Sequence, residues 1–105
     1  MDKPNILVVM TDQMRASAMG FVGQEPVSTP NLDQFAQEST SFTRAVSNIP
    51  ACTPARACLL TGLYPLSHEL VSNDLPLGTE FTTFAHQFNQ IGYKCGYVGK
   101  WHLDC

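Results

Sequence analysis

Charge is scarce in this 105-residue sequence: Asp, Glu, Lys and Arg make up 14% of it, and the net charge is −3 at pH 7. That deficit excludes the basic stripe a nucleic-acid surface needs, so no nucleic-acid partner is expected. Long apolar runs are also missing. The run at residues 5–10, Asn-Ile-Leu-Val-Val-Met, falls far short of the roughly 20 residues that cross a bilayer, and no membrane partner is expected. There is no C-x-x-C pair, and cysteines at 52, 58, 95 and 105 fit no zinc-ribbon or zinc-finger spacing. The N-terminus lacks the basic-then-apolar layout of a secretory signal. A cytoplasmic chain with reduced thiols is therefore expected. Repeats, low-complexity tracts and linkers are absent as well. With 44% apolar residues, the length allows one domain at most, with a modest core.

What is present centres on residues 51–62, Ala-Cys-Thr-Pro-Ala-Arg-Ala-Cys-Leu-Leu-Thr-Gly. Pro54 suits a first helical turn, where a missing N–H costs nothing, and Thr53 is then the expected N-cap. Gly62 is placed to end the helix, and Pro65 blocks its continuation. Cys52 thus falls just ahead of a helix N-terminus, where unpaired N–H groups and the dipole favour negative charge. Arg56, four residues on, rises on the same side one turn later. Cys58 reads as a packing residue.

Residues 5–10 read as a strand buried on both faces, the kind found in parallel sheets covered by helices. Thr11-Asp12-Gln13 follow at its carboxyl end, where ligands bind in open α/β sheets. Asp12 and Gln13 supply a carboxylate and an amide oxygen suited to a hard cation, although Asp12 equally suits the cap of a helix beginning near Met14. Thr29-Pro30 start a second helix with Leu32, Phe35 and Ala36 on its inner face. Asp33 in its first turn complements the dipole. Residues 41–46 alternate loosely, as a short strand does. His68 falls in an irregular segment as a surface or hydrogen-bonded histidine, with substrate contact the sharper alternative. Residues 79–91 carry Phe81, Phe84, Ala85, Phe88 and Ile91 at helical spacing, a core stripe ended by Gly92, with His86 off it and solvated. Residues 93–98 read as another strand. In an extended chain beyond it, Lys100 and His102 share a face and Trp101 takes the other. The order of elements argues for an α/β fold, a sheet with covering helices.

Three segments, Pro-Asn-Ile-Leu-Val-Val-Met-Thr-Asp-Gln, Cys-Thr-Pro-Ala-Arg-Ala-Cys-Leu-Leu-Thr-Gly and Gly-Lys-Trp-His-Leu, together resemble the sulfatase family of the alkaline-phosphatase-like superfamily. Thr-Pro-Asn-Leu-Asp and Gly-Leu-Tyr-Pro also look like the family's, and the matches span essentially the whole chain in the family's order. The resemblance implies the N-terminal portion of an alkaline-phosphatase-like, mostly parallel sheet covered by helices. It implies sulfuric ester hydrolysis. Cys52 matches the cysteine that a formylglycine-generating enzyme converts to formylglycine, whose hydrated aldehyde is the nucleophile. Arg56 matches the arginine that holds that group. Lys100 and His102 match the residues that contact the sulfate and the nucleophile, with His102 handling protons. Asp12 and Gln13 match two ligands of a Ca2+ or Mg2+ ion, which the modified Cys52 also contacts. Gln13 replaces the commoner aspartate, a loss of one negative charge. The substrate implied is a small-molecule or carbohydrate sulfate ester.

Phosphonate and phosphate ester hydrolases of the same superfamily carry similar motifs and form the alternative within this class. A C-x5-R thiol phosphatase is excluded, since Cys58 stands six residues after Cys52 and Arg56 comes two early. Family enzymes are several times longer, so residues 1–105 are expected to be an incomplete N-terminal fragment of the catalytic domain, inactive alone. Such a fragment would expose strand edges and apolar faces and self-associate, the alternative of a different class.

Overall fold

The computed structural model describes residues 3–104. The chain divides into two compact units, Met1–Arg44 and Ala45–Cys105.

In the first unit, two 3₁₀ turns, Ala16–Ala18 and Gly20–Val22, precede helix α1, Pro30–Gln37. Thr29 and Pro30 start α1 as expected, but the helix anticipated near Met14 is replaced by the turns. Glycines account for part of this, since Gly23 sits at φ 70°, a conformation side chains resist. Tertiary bonds account for the rest. The Thr29 hydroxyl accepts from the Gly20 N–H at 2.8 Å and donates to the Asp33 carboxylate at 2.6 Å, which also accepts from the Phe21 N–H at 2.9 Å. Asp33 therefore anchors a turn as well as meeting the helix dipole. Glu25 closes the other side of the unit, accepting from Arg15 at 2.9 Å and from the Ser17 hydroxyl at 2.6 Å.

The second unit carries α2, Cys52–Thr61, α3, Pro65–His68, and α4, Phe84–Gln90. Gly62 ends α2 in the left-handed region at φ 71°, its N–H donating to the Cys58 carbonyl, as the sequence predicts. The start comes two residues earlier than expected. Ala51 is the N-cap and Cys52 the first helical residue, because the first backbone bond of the helix runs from the Ala55 N–H to the Ala51 carbonyl. Pro54 is then third in the helix, still among the positions whose N–H has no intrahelical partner. Ala57, Leu60, Leu70 and Leu103 form the buried core with Leu77 against it. A backbone bond from the Leu77 N–H to the Leu103 carbonyl, 2.9 Å, ties the last segment to this core.

Helix α4 begins later than its apolar period suggests. Thr83 and His86 form a reciprocal capping box that fixes the start at Phe84, so His86 has a structural partner as well as solvent. The aromatic stripe is only partly buried: Phe84 and Phe88 pack edge to face, as do Phe88 and Tyr93, while Ile91 is exposed.

The expected strands do not form. Among the described residues, 5–10, 41–46 and 93–98 carry no strand, so three of the four expected helices are present and the mostly parallel sheet is not. A strand exists only through its ladder, and continuously apolar strands need neighbours on both edges. Here Leu7 and Val9 are 86% and 79% exposed, the state of a sheet strand that lacks neighbours.

A Cβ added at Gly20 would lie 2.7 Å from the Asp33 carboxylate and 3.1 Å from the Thr29 hydroxyl. Gly20→Ala is expected to disrupt this pair of bonds and destabilise the first unit by about 1–2 kcal/mol, read from the denaturation midpoint.

Candidate functional site

The site in the second unit is built on the first turn and a half of α2. Cys52 opens the helix, at the positive end of its dipole. The Lys100 ammonium reaches its sulfur at 3.5 Å.

Arg56 is 6% exposed. Its guanidinium donates to the Lys100 carbonyl at 2.6 Å and to the Tyr97 hydroxyl at 3.3 Å, and the Tyr97 hydroxyl donates to the same carbonyl. Tyr97 is held in turn by the edge of Trp101, with ring centroids 5.0 Å apart. The segment 97–101 is thus fastened to α2 by a charged donor, and its lysine is presented to Cys52. Such a charge-assisted bond contributes about 1.5–3 kcal/mol.

Thr53 makes a second tie. It is fully buried; its N–H donates to Asn73 Oδ1 and its hydroxyl to the His102 carbonyl, each at 3.0 Å. The N-cap role expected of Thr53 is replaced by these longer-range bonds, which hold two distant segments against one helical turn. His102 itself sits at φ 57° and Gly99 at φ 112°, so residues 99–102 are not regularly extended. The simple alternation that would set Lys100 and His102 on one face does not hold. Lys100 reaches Cys52, whereas the His102 ring lies 3.8 Å from the Asp74 carboxylate through Nε2.

Asp12 and Gln13 lie in the first unit, both exposed, with Gln13 at φ 55°, an uncommon conformation for a residue with a side chain. Carboxylate and amide oxygens fit a hard cation in kind, yet two donors are a minority of the six to eight that Ca2+ takes. No group of three or more His, Cys, Asp or Glu is placed to hold a metal among the described residues.

His68 is not a substrate contact. It is 1% exposed; its Nδ1 accepts from the Leu70 N–H at 3.2 Å, and its Nε2 lies 3.4 Å from the Cys58 sulfur. Glu69 and Glu80 line the adjoining cleft, the wrong sign for a sulfate. Cys58 is therefore a packing residue with a polar partner. Among the described residues, Cys52, Cys58 and Cys95 are free thiols; Cys105 lies outside the described residues. Sequence reasoning missed Asn73, Asp74 and Tyr97. The first two carried only a turn signal, and Tyr97 stood inside an expected strand.

With this geometry in place, the comparisons decide the family. The Sulfatase family model matches residues 4–105. The chain belongs to the sulfatase family. It is 50% identical over 102 residues to the Ulvan-active sulfatase of Formosa agariphila, covering 97% of this chain and 20% of that protein. It is 38% identical over 102 residues to an Arylsulfatase of Clostridium perfringens, covering 96% and 21%. Among solved structures, it resembles yidJ of Bacteroides fragilis, assigned to the sulfatases, with a TM-score of 0.83 and 40% identity over 89% of this chain and 22% of that one. This sulfatase chain thus spans about a fifth of the length of the curated relatives it matches.

Arg56→Lys keeps the charge but loses the guanidinium fork that ties Lys100 and Tyr97 together. It is expected to destabilise the second unit by about 2 kcal/mol and to speed amide exchange through residues 97–102, measured by hydrogen–deuterium exchange.

Proposed function

We propose that the protein hydrolyses sulfuric esters, using a formylglycine formed from Cys52 by a formylglycine-generating enzyme. The observation that carries this is Lys100 Nζ, 3.5 Å from the Cys52 sulfur at the N-terminus of α2. A cation and the positive end of a helix dipole meet at one side chain, an arrangement suited to the oxygens of a bound sulfate. Membership of the sulfatase family supports the same chemistry.

Within this proposal, formylglycine supplies an electrophilic carbon whose hydrate offers the attacking hydroxyl. Lys100 neutralises charge on the ester oxygens, and the α2 N-terminus adds fixed dipoles to the same effect. Arg56 works mainly by holding Lys100 in place, through its carbonyl. His102 is the proton-handling group. Asp12 and Gln13 are the proposed donors to a Ca2+ or Mg2+ ion, which would supply Lewis-acid polarisation when bound. The proposed substrate is a small-molecule or carbohydrate sulfate ester; the relatives' names, Ulvan-active sulfatase and Arylsulfatase, include one of each kind.

The test uses the full-length protein co-produced with a formylglycine-generating enzyme. Intact mass should fall by about 18 Da at Cys52, and p-nitrophenyl sulfate should be cleaved faster than p-nitrophenyl phosphate. Cys52→Ala should abolish turnover, and Lys100→Ala should lower kcat roughly 10²–10³-fold. Undiminished turnover in Cys52→Ala would overturn the proposal, and a preference for the phosphate ester would move it to phosphoryl transfer.

A further inference from the structure

His102 combines three features that packing alone does not account for. Its backbone is left-handed at φ 57°. Its Nδ1 is buried and has no hydrogen-bond partner among the described residues. Its Nε2 lies 3.8 Å from Asp74 Oδ1. Asp74 is left-handed too, at φ 65°. Aspartate and histidine tolerate this region better than most residues, but each occurrence still carries a cost.

The two side chains are brought together by one residue. Thr53 holds the 73–74 turn through its N–H on Asn73 Oδ1 and holds His102 through its hydroxyl on the His102 carbonyl. Because Thr53 is fully buried in the first turn of α2, neither segment can slide independently. The Asp74 side chain is otherwise largely exposed, at 91%, against 29% for His102. An exposed pair at this distance contributes little stability. Its effect is instead on the imidazole proton.

A neutral imidazole has one donor and one acceptor nitrogen, and the partner of one fixes the role of the other. A carboxylate facing Nε2 selects the tautomer protonated there. That leaves Nδ1 as a lone-pair acceptor, held dry and unpartnered. We propose that Asp74 is a positioning residue that locks His102 in the Nε2–H tautomer, so that Nδ1 is the nitrogen that takes up and returns the proton during ester hydrolysis. This rests on the hydrolytic function proposed above. The 3.8 Å separation is longer than a hydrogen bond, as catalytic contacts often are without substrate.

The test reads the tautomer directly. Multiple-bond 15N–1H spectra of the full-length protein, recorded with neutral imidazole, should show His102 protonated at Nε2. Asp74→Ala should shift it toward a tautomer mixture, and Asp74→Glu should restore it. In the formylglycine-bearing enzyme, Asp74→Ala should lower kcat on the order of tenfold with KM unchanged. An Nδ1–H tautomer in the unaltered protein would overturn the proposal, as would an unaltered kcat in Asp74→Ala. The spectrum requires no turnover, so failure of the proposed hydrolysis would leave the tautomer result standing.

Discussion

One charged hydrogen bond, from the Arg56 guanidinium to the Lys100 carbonyl at 2.6 Å, organises the candidate site. Residues 93–102 carry no strand ladder, so their backbone has no regular neighbour to fix its path. The guanidinium supplies that constraint from the side of α2. It can do so because Arg56 is nearly buried, where a charge must be satisfied by hydrogen bonds or incur a large desolvation cost. The same demand that keeps Arg56 paired keeps Lys100 beside Cys52.

Four of the five residues Cys-Thr-Pro-Ala-Arg of α2 thus share out separate tasks. Cys52 opens the helix at the positive end of its dipole; Thr53 spends its own N–H on Asn73 and its hydroxyl on His102. Pro54 needs no donor at its position. Arg56 reaches the loop that bears lysine. A short motif can be specific because helix start, packing and chemistry all depend on the same few side chains. Changing any one of them disturbs both the local fold and the distant segments it holds.

Much of the local structure was legible in the sequence, for local reasons. Thr29-Pro30 and Gly62 mark helix ends through steric rules that hold wherever the chain goes. Of the expected site residues, Lys100 does meet Cys52. Other features depend on partners that no local pattern announces. Residues 5–10 have strand composition but no ladder, and Leu7 and Val9 are exposed. Thr53 resembles a cap, yet its bonds cross 20 and 49 positions of sequence. His68, read as a surface or hydrogen-bonded residue, is hydrogen-bonded and almost wholly buried against Cys58, a burial no local pattern marks. Tyr97 and Asp74 acquire meaning only after Arg56 and Thr53 have drawn their segments in.

The central claim is that Arg56 acts through Lys100, and a double-mutant cycle in kcat/KM tests it most directly. Arg56→Lys, Lys100→Ala and the double variant would be compared in full-length, formylglycine-bearing protein with p-nitrophenyl sulfate. If Arg56 works by placing Lys100, the double variant should be scarcely worse than Lys100→Ala, with a coupling above about 1 kcal/mol. Single-variant losses that add to within about 0.5 kcal/mol would show that the two side chains act independently and would contradict the account.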